Sequence, residues 1–162
     1  MTTLHLIVIG RLKESYWQEA EAEYLKRLSP WAEVVIHEIK EESFNEKDPP
    51  ELIKAREADK IVETLEKIKN TFVLVLDGRG RAMNSVQLST LMTTWREEFH
   101  ALTVIIGGPL GLDDTILGIG KRPGGFALSL SNLTFTHQMA RVFLLEQLYR
   151  AMMIADGRKY HY

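Results

Sequence analysis

The chain has 162 residues, a length that fits one domain and a core able to close without metal or disulfide. Its 20 Lys and Arg against 22 Asp and Glu leave a formal charge of −2, and a pI near 6.2 excludes a free-standing basic module held on nucleic acid by net charge. Hydrophobic residues at 45% and charged residues at 26% exclude a disordered or membrane-embedded chain, and zero cysteines exclude a disulfide framework, a thiolate metal site and a cysteine nucleophile.

The opening MTTLHLIVIGRLKESYW lacks a basic n-region, and its apolar run is too short to span a bilayer, which predicts a cytoplasmic protein with no membrane partner. Leu4 to Ile9, stopped by Gly10, reads as a buried strand. Ser15 starts a helix whose Tyr16, Ala20, Tyr24 and Leu28 recur at four-residue steps until Pro30 ends it. Residues 33–39 read as a second strand, 40–50 as a polar loop ending in Pro49-Pro50, and 51–69 as a charged amphipathic helix with a solvated face.

The pattern then changes. Phe72 to Leu76 is a continuous apolar run closed by Asp77-Gly78, the pattern of a central parallel strand. Asn84-Ser85 opens a helix through Trp95, Leu102 to Ile106 is another buried strand closed by Gly107-Gly108, and Asp113-Asp114 suits the start of a short helix. Residues 126–130 form a last strand, followed by a helix from near Gln138 to Ala155. Strands alternating with helices predict an α/β fold with a mostly parallel sheet flanked by helices, in one domain over residues 1–162. The last helix carries apolar residues on nearly every face, which predicts burial on more than one side and a homodimer seam; Arg141, Glu146 and Arg150 within it argue against a membrane segment.

Ligands of open parallel sheets bind outside the carboxyl ends of the strands. Three segments qualify: Asp77 to Arg81, Gly107 to Asp113, and Ser129 to Phe135. Their glycines and bare backbone groups suit an adenine or a carboxylate, yet none has a complete dinucleotide or P-loop fingerprint, and each alone reads equally as a tight turn. The five histidines show no metal-ligand spacing, so no metal is expected; His5 and His37 fall inside strands. No nucleophile elbow appears. His137 and Arg141 share a helix face, Glu146 and Arg150 form a second i, i+4 pair, and the chain ends Arg158-Lys-Tyr-His-Tyr162. From Thr136 onward four Lys and Arg stand against two Asp and Glu, a local basic excess in an acidic chain. That tail reads either as a frayed terminus or as a flap over a ligand.

VIIGGPLGLDD (104–114), ALSLSNLTFTHQMARVFLLEQLYRA (127–151) and the terminal YH (160–161) resemble the RlmH family of SPOUT-class rRNA methyltransferases, and LHLIVIGRLKESYWQEAEAEYLKRL (4–28) extends the similarity over nearly the whole chain. The resemblance implies a C-terminal trefoil knot, a homodimer, S-adenosylmethionine (SAM) as cofactor, and N3-methylation of a pseudouridine in 23S rRNA of the large ribosomal subunit. It implies cofactor contacts at Leu76, Gly107, Leu130, Ser131, Asn132, Leu133, Thr134 and Phe135. It also makes Arg141, Tyr160 and His161 the expected catalytic residues, with Arg141 stabilising charge at the pocket and the tail orienting the base or relaying its proton. His137 is equally a structural link or a catalytic group. Thr136 and Lys159 stand where the family has prolines; Thr136 can cap the helix, whereas Lys159 frees the tail's φ. Arg79, Arg81, Arg141, Arg150 and Arg158 are the expected RNA-contacting cations. Rival readings are a SPOUT-like methyltransferase acting on another RNA such as tRNA, and a non-catalytic flavodoxin-like nucleotide-binding module.

Overall fold

The computed structural model describes residues 2–160. Its elements run β1 (Thr2–Ile9), α1 (Ser15–Leu28), β2 (Ala32–Ile39), α2 (Pro50–Glu66), β3 (Thr71–Ala82), α3 (Ser85–Glu98), β4 (Ala101–Ile106), α4 (Asp114–Ile119), β5 (Gly125–Ser129) and α5 (His137–Ala155). The five strands form one parallel sheet in the order β2-β1-β4-β3-β5.

The unbroken apolar runs follow from coverage on both faces. Even positions of β1 and β3 (Leu4, Leu6, Val8; Phe72, Leu74, Leu76) pack with Leu102, Val104 and Ile106 against Leu28 of α1, Leu88, Met92 and Trp95 of α3, and Leu144, Leu145 and Leu148 of α5. Odd positions (Ile7, Ile9, Val73, Val75) join Ile105 in packing against Ala58 and Ile61 of α2 and Ile116 of α4. Central β4 is buried at every position. Each such Leu or Ile contributes about 1.5–3 kcal/mol relative to exposure.

Two expectations change. The segment Asp77 to Arg81 is not a strand-ending loop: β3 continues to Ala82, with Leu76 and Arg81 both paired to Leu128 and the residues between bulging out. Gly80 makes this crossing possible, because a Cβ there would lie 2.7 Å from backbone carbons of Ala127 and Leu128. The second change concerns α5, which packs between α1 and α3 as well as on the sheet, so those helices cover flanks that the sequence alone assigned to a partner subunit. Phe143 of α5 (38% exposed) and Leu133 in the segment before it (75%) remain as open apolar surface, with Phe135 edge-on to Phe143 at 5.3 Å.

Helix starts match their caps. Asn84 and Gln87 form a reciprocal capping box on α3, Asp113 accepts from Thr115 N–H at 2.8 Å, and Thr136 accepts from Met139 N–H at 3.3 Å. Thr136 thus gives the start of α5 a working cap. Among the described residues no helix is long and apolar enough to cross a membrane.

Candidate active site

The register of the sheet builds the site. Leu76 lies beside Ile106 on one side and Leu128 on the other, so the end of β4, the bulge of β3 and the end of β5 come level with one another. The segments leaving them, 77–79, 107–112 and 129–135, enclose a cavity of about 480 Å³, within the usual range for small-molecule sites. Leu76, Gly107 and the whole run Leu130 to Phe135 line it, so all eight residues singled out as cofactor contacts are brought to one place. Leu76, Ile106 and Leu130 supply apolar wall, while the segments 107–112 and 129–135 supply the rest of the lining. Gly107 is confined from the outside: a Cβ would lie 2.9 Å from the Leu112 side chain.

Arg79 ties two of these walls together. Its Nε donates to Asp77 Oδ1 at 2.9 Å and its Nη2 to Asp77 Oδ2 at 3.0 Å, while Nη1 donates to Asp114 Oδ1 at 2.6 Å and Nη2 to Leu112 O at 2.9 Å. Burial alone would raise the Asp77 carboxyl; the Arg79 hydrogen bonds and charge outweigh it and hold Asp77 below the ordinary carboxylate range. In turn the two carboxylates, Asp77 first, push the Arg79 guanidinium upward. The sequence offered Arg79 as an RNA contact and gave no signal for this clasp, because Asp114 is remote in the chain.

His137 lines the cavity at the first turn of α5. A Cβ on Gly10 would lie 3.5 Å from His137 Nε2, so the end of β1 runs against the imidazole. Burial lowers its pKa below 6.5, with Lys13 and Arg141 acting in the same direction and Glu41 and Glu14 opposing. The imidazole is therefore neutral at pH 7 and able to accept a proton. Of the cavity's titratable side chains, Asp77 and Arg79 hold each other and Lys54 pairs with Glu51 at 2.8 Å.

Two of the expected catalytic residues, Arg141 and Tyr160, are not among the residues lining the cavity. Arg141 is 4% exposed and lies off the cavity, with Nε and Nη2 on Glu21 and Nη1 on Glu38 at 3.1 Å. Its guanidinium joins α5 to α1 and β2. Tyr160 sits on the far part of α5: its ring is edge-on to Tyr149 at 4.8 Å, its hydroxyl donates to Glu146 Oε1 at 3.3 Å, and Arg150 stacks over it at 4.7 Å. At 1.5 Å per residue that is roughly 15 Å along the helix from His137. Burial raises the Tyr160 phenol above its ordinary pKa, so it is a hydrogen-bond donor at neutral pH. His161 lies outside the described residues.

The expected RNA-contacting cations are also mostly engaged. Arg79 and Arg141 are held as described, Arg150 pairs with Glu146, and Arg158 lies 3.8 Å from Asp156 and over the Trp31 ring at 5.3 Å. Among the described residues, Arg81 has no such pairing. No group of three or more possible metal ligands occurs among the described residues.

Comparison with known proteins identifies the family. The profile of the family described as "Predicted SPOUT methyltransferase" matches residues 2–161. The ribosomal RNA large subunit methyltransferase H of Halothermothrix orenii is 37% identical over 166 residues, covering 98% of each chain. That of Symbiobacterium thermophilum is 38% identical over 162 residues with the same coverage. In fold, the chain is similar to a ribosomal RNA small subunit methyltransferase E from Neisseria gonorrhoeae solved bound to S-adenosyl methionine, with a TM-score of 0.53 at 13% identity over 94% of this chain and 66% of that one. A profile match over almost the full length, with relatives well above 30% identity, settles descent: the chain belongs to the SPOUT methyltransferase family and, within it, to the ribosomal RNA large subunit methyltransferase H family.

Proposed function

We propose that this chain is a SAM-dependent methyltransferase that methylates N3 of a pseudouridine in 23S rRNA of the large ribosomal subunit. The observation that carries the reading is the convergence of Leu76, Gly107 and residues 130–135 on one cavity in a chain of this family. The cavity fits the cofactor in size and chemistry: apolar wall for the purine and thioether, backbone donors and acceptors for adenine and carboxylate.

When bound, SAM supplies an electrophilic methyl group on a sulfonium, which leaves the chain to position the acceptor and remove its proton. An imide N3 becomes nucleophilic on deprotonation, and His137, neutral and at the cavity wall, takes that proton on an imidazole nitrogen. The loops at 107–112 and 129–135 exclude water from one side.

The protein acts as a homodimer in this reading, and the exposed Leu133 and Phe143 with Phe135 give the seam an apolar centre. The tail then serves the partner's cavity, since Tyr160 is held too far along α5 to reach its own. Tyr160 there donates a hydrogen bond to the base, and His161 assists. A trefoil knot in the C-terminal half is supported by the path from β5, at the sheet edge, to an α5 packed between α1 and α3. A substrate in the ribosome carries a cytoplasmic location with it.

Incubating the purified protein with methyl-labelled SAM and unmodified large subunits tests the proposal. Label in one pseudouridine of 23S rRNA is expected; label confined to tRNA, or none, contradicts it.

A further inference from the structure

Four of the five expected cations have carboxylate partners, and the turn beside the cavity offers two that do not. The turn from β1 into α1 carries two exposed cations, Arg11 and Lys13, and neither forms an ion pair among the described residues. Three residues after Lys13, Tyr16 is 61% exposed, its ring edge-on to Trp17 at 5.3 Å. The exposed ring offers a flat aromatic face close in the chain to the two cations.

The turn is rigid and sits against the site. Buried Leu12 anchors it, and Gln18 Nε2 donates to Leu12 O at 2.9 Å. Lys13 N–H donates to Gln138 Oε1 at 3.2 Å, which fixes the turn to the residue after cavity-lining His137. Gly10, at φ +81°, turns the chain where a side chain would be strained. The acidic neighbour Glu14 buries its Oε2 and forms no ion pair with either cation among the described residues.

We infer that Arg11, Lys13 and Tyr16 form a docking platform for single-stranded RNA beside the cavity, with the cations on phosphates and the Tyr16 ring under an unstacked base. The inference rests on the methyltransferase reading for the identity of the RNA, and it names the part of the surface that receives it. Phosphate contacts give salt-dependent affinity, and stacking on an aromatic ring accepts any base, so together they hold a looped strand while the cavity selects the reacting nucleotide.

The test is a titration of the full-length protein against purified large ribosomal subunits, read by co-sedimentation at several salt concentrations, with SAM affinity measured in parallel by calorimetry. R11A/K13A should weaken subunit binding about tenfold or more and reduce the slope of log affinity against log salt by roughly 1.4, about 0.7 per lost single-strand contact. Tyr16→Ala should weaken it about tenfold, and Tyr16→Phe should restore it, because the ring suffices for stacking. SAM affinity should stay within about twofold in all three, since none of these residues lines the cavity. Unchanged subunit affinity or an unchanged salt slope in R11A/K13A overturns the platform, as does salt-insensitive binding, which would indicate docking on a ribosomal protein. Failure of the unaltered protein to bind SAM would overturn the methyltransferase reading instead, and the subunit titration would still decide the platform.

Discussion

Arg141 on α5 grips Glu21 on α1 through two guanidinium nitrogens, Nη2 donating to Oε1 at 3.0 Å and Nε to Oε2, and reaches Glu38 on β2 with a third. Burial pushes the Glu21 carboxyl up while Arg141 pulls it down, so removing the arginine strands a desolvated acid. Arg141→Ala should therefore cost about 3–5 kcal/mol in denaturant unfolding. Replacing the pair by apolar residues of similar volume, R141M/E21L, should recover most of that loss. Activity should fall with the folded fraction; a fully folded, inactive Arg141→Ala protein would return the arginine to the chemistry.

Gly107 is expected to be intolerant for a reason that leaves the fold standing. A Cβ would press on Leu112 at 2.9 Å and on the Gly111 carbonyl carbon at 3.1 Å, pushing the 107–112 wall out of place. Gly107→Val should weaken SAM binding more than about tenfold by calorimetry, which corresponds to 1.4 kcal/mol, with far-ultraviolet circular dichroism unchanged. Normal affinity would mean that this wall does not shape the cofactor site.

The Arg79 clasp is a positioning device of the same cavity. Arg79→Ala frees Asp77 and Asp114 and should raise the Kd for SAM several-fold with little change in melting temperature, because the side chain is half-exposed. Lysine cannot span both carboxylates and the Leu112 carbonyl together, so Arg79→Lys should rescue only part of the loss. Full rescue by lysine would reduce the clasp to simple charge.

His137 sets a pH dependence with a definite sign. Its folded pKa is lowered by burial, so the neutral base persists below pH 6.5 and the acidic limb of kcat should lie below that value. The folded state binds fewer protons than the unfolded state in that window, so stability should also drop as pH falls from 6.5. His137→Gln should lower kcat about 10²–10⁴-fold and remove the limb. A wild-type limb retained in the variant would assign the proton to another group.

The alternation of strands and helices, the parallel sheet and the strand-end segments after β4 and β5 were legible in the sequence, because doubly covered strands leave apolar runs that end at glycines or turn residues. The β3 bulge was not. Asp77-Gly-Arg-Gly reads as a terminator, and only the packing of Gly80 on Ala127 and Leu128 lets pairing resume at Arg81. Nor did spacing separate His137 from Arg141. Four residues apart they share a helix face, yet the shorter side chain ends at the cavity while the longer one runs to Glu21 and Glu38, far away in sequence. Ion-pair partners remote in the chain are set by topology, which periodicity does not encode.

The central claim, methylation of a 23S rRNA pseudouridine, is tested most directly by mass spectrometry of nucleosides from large-subunit rRNA of a strain lacking this gene. The account predicts that one N3-methylated pseudouridine disappears, returns with the intact gene, and does not return with His137→Gln. An rRNA nucleoside profile identical with and without the gene would contradict it.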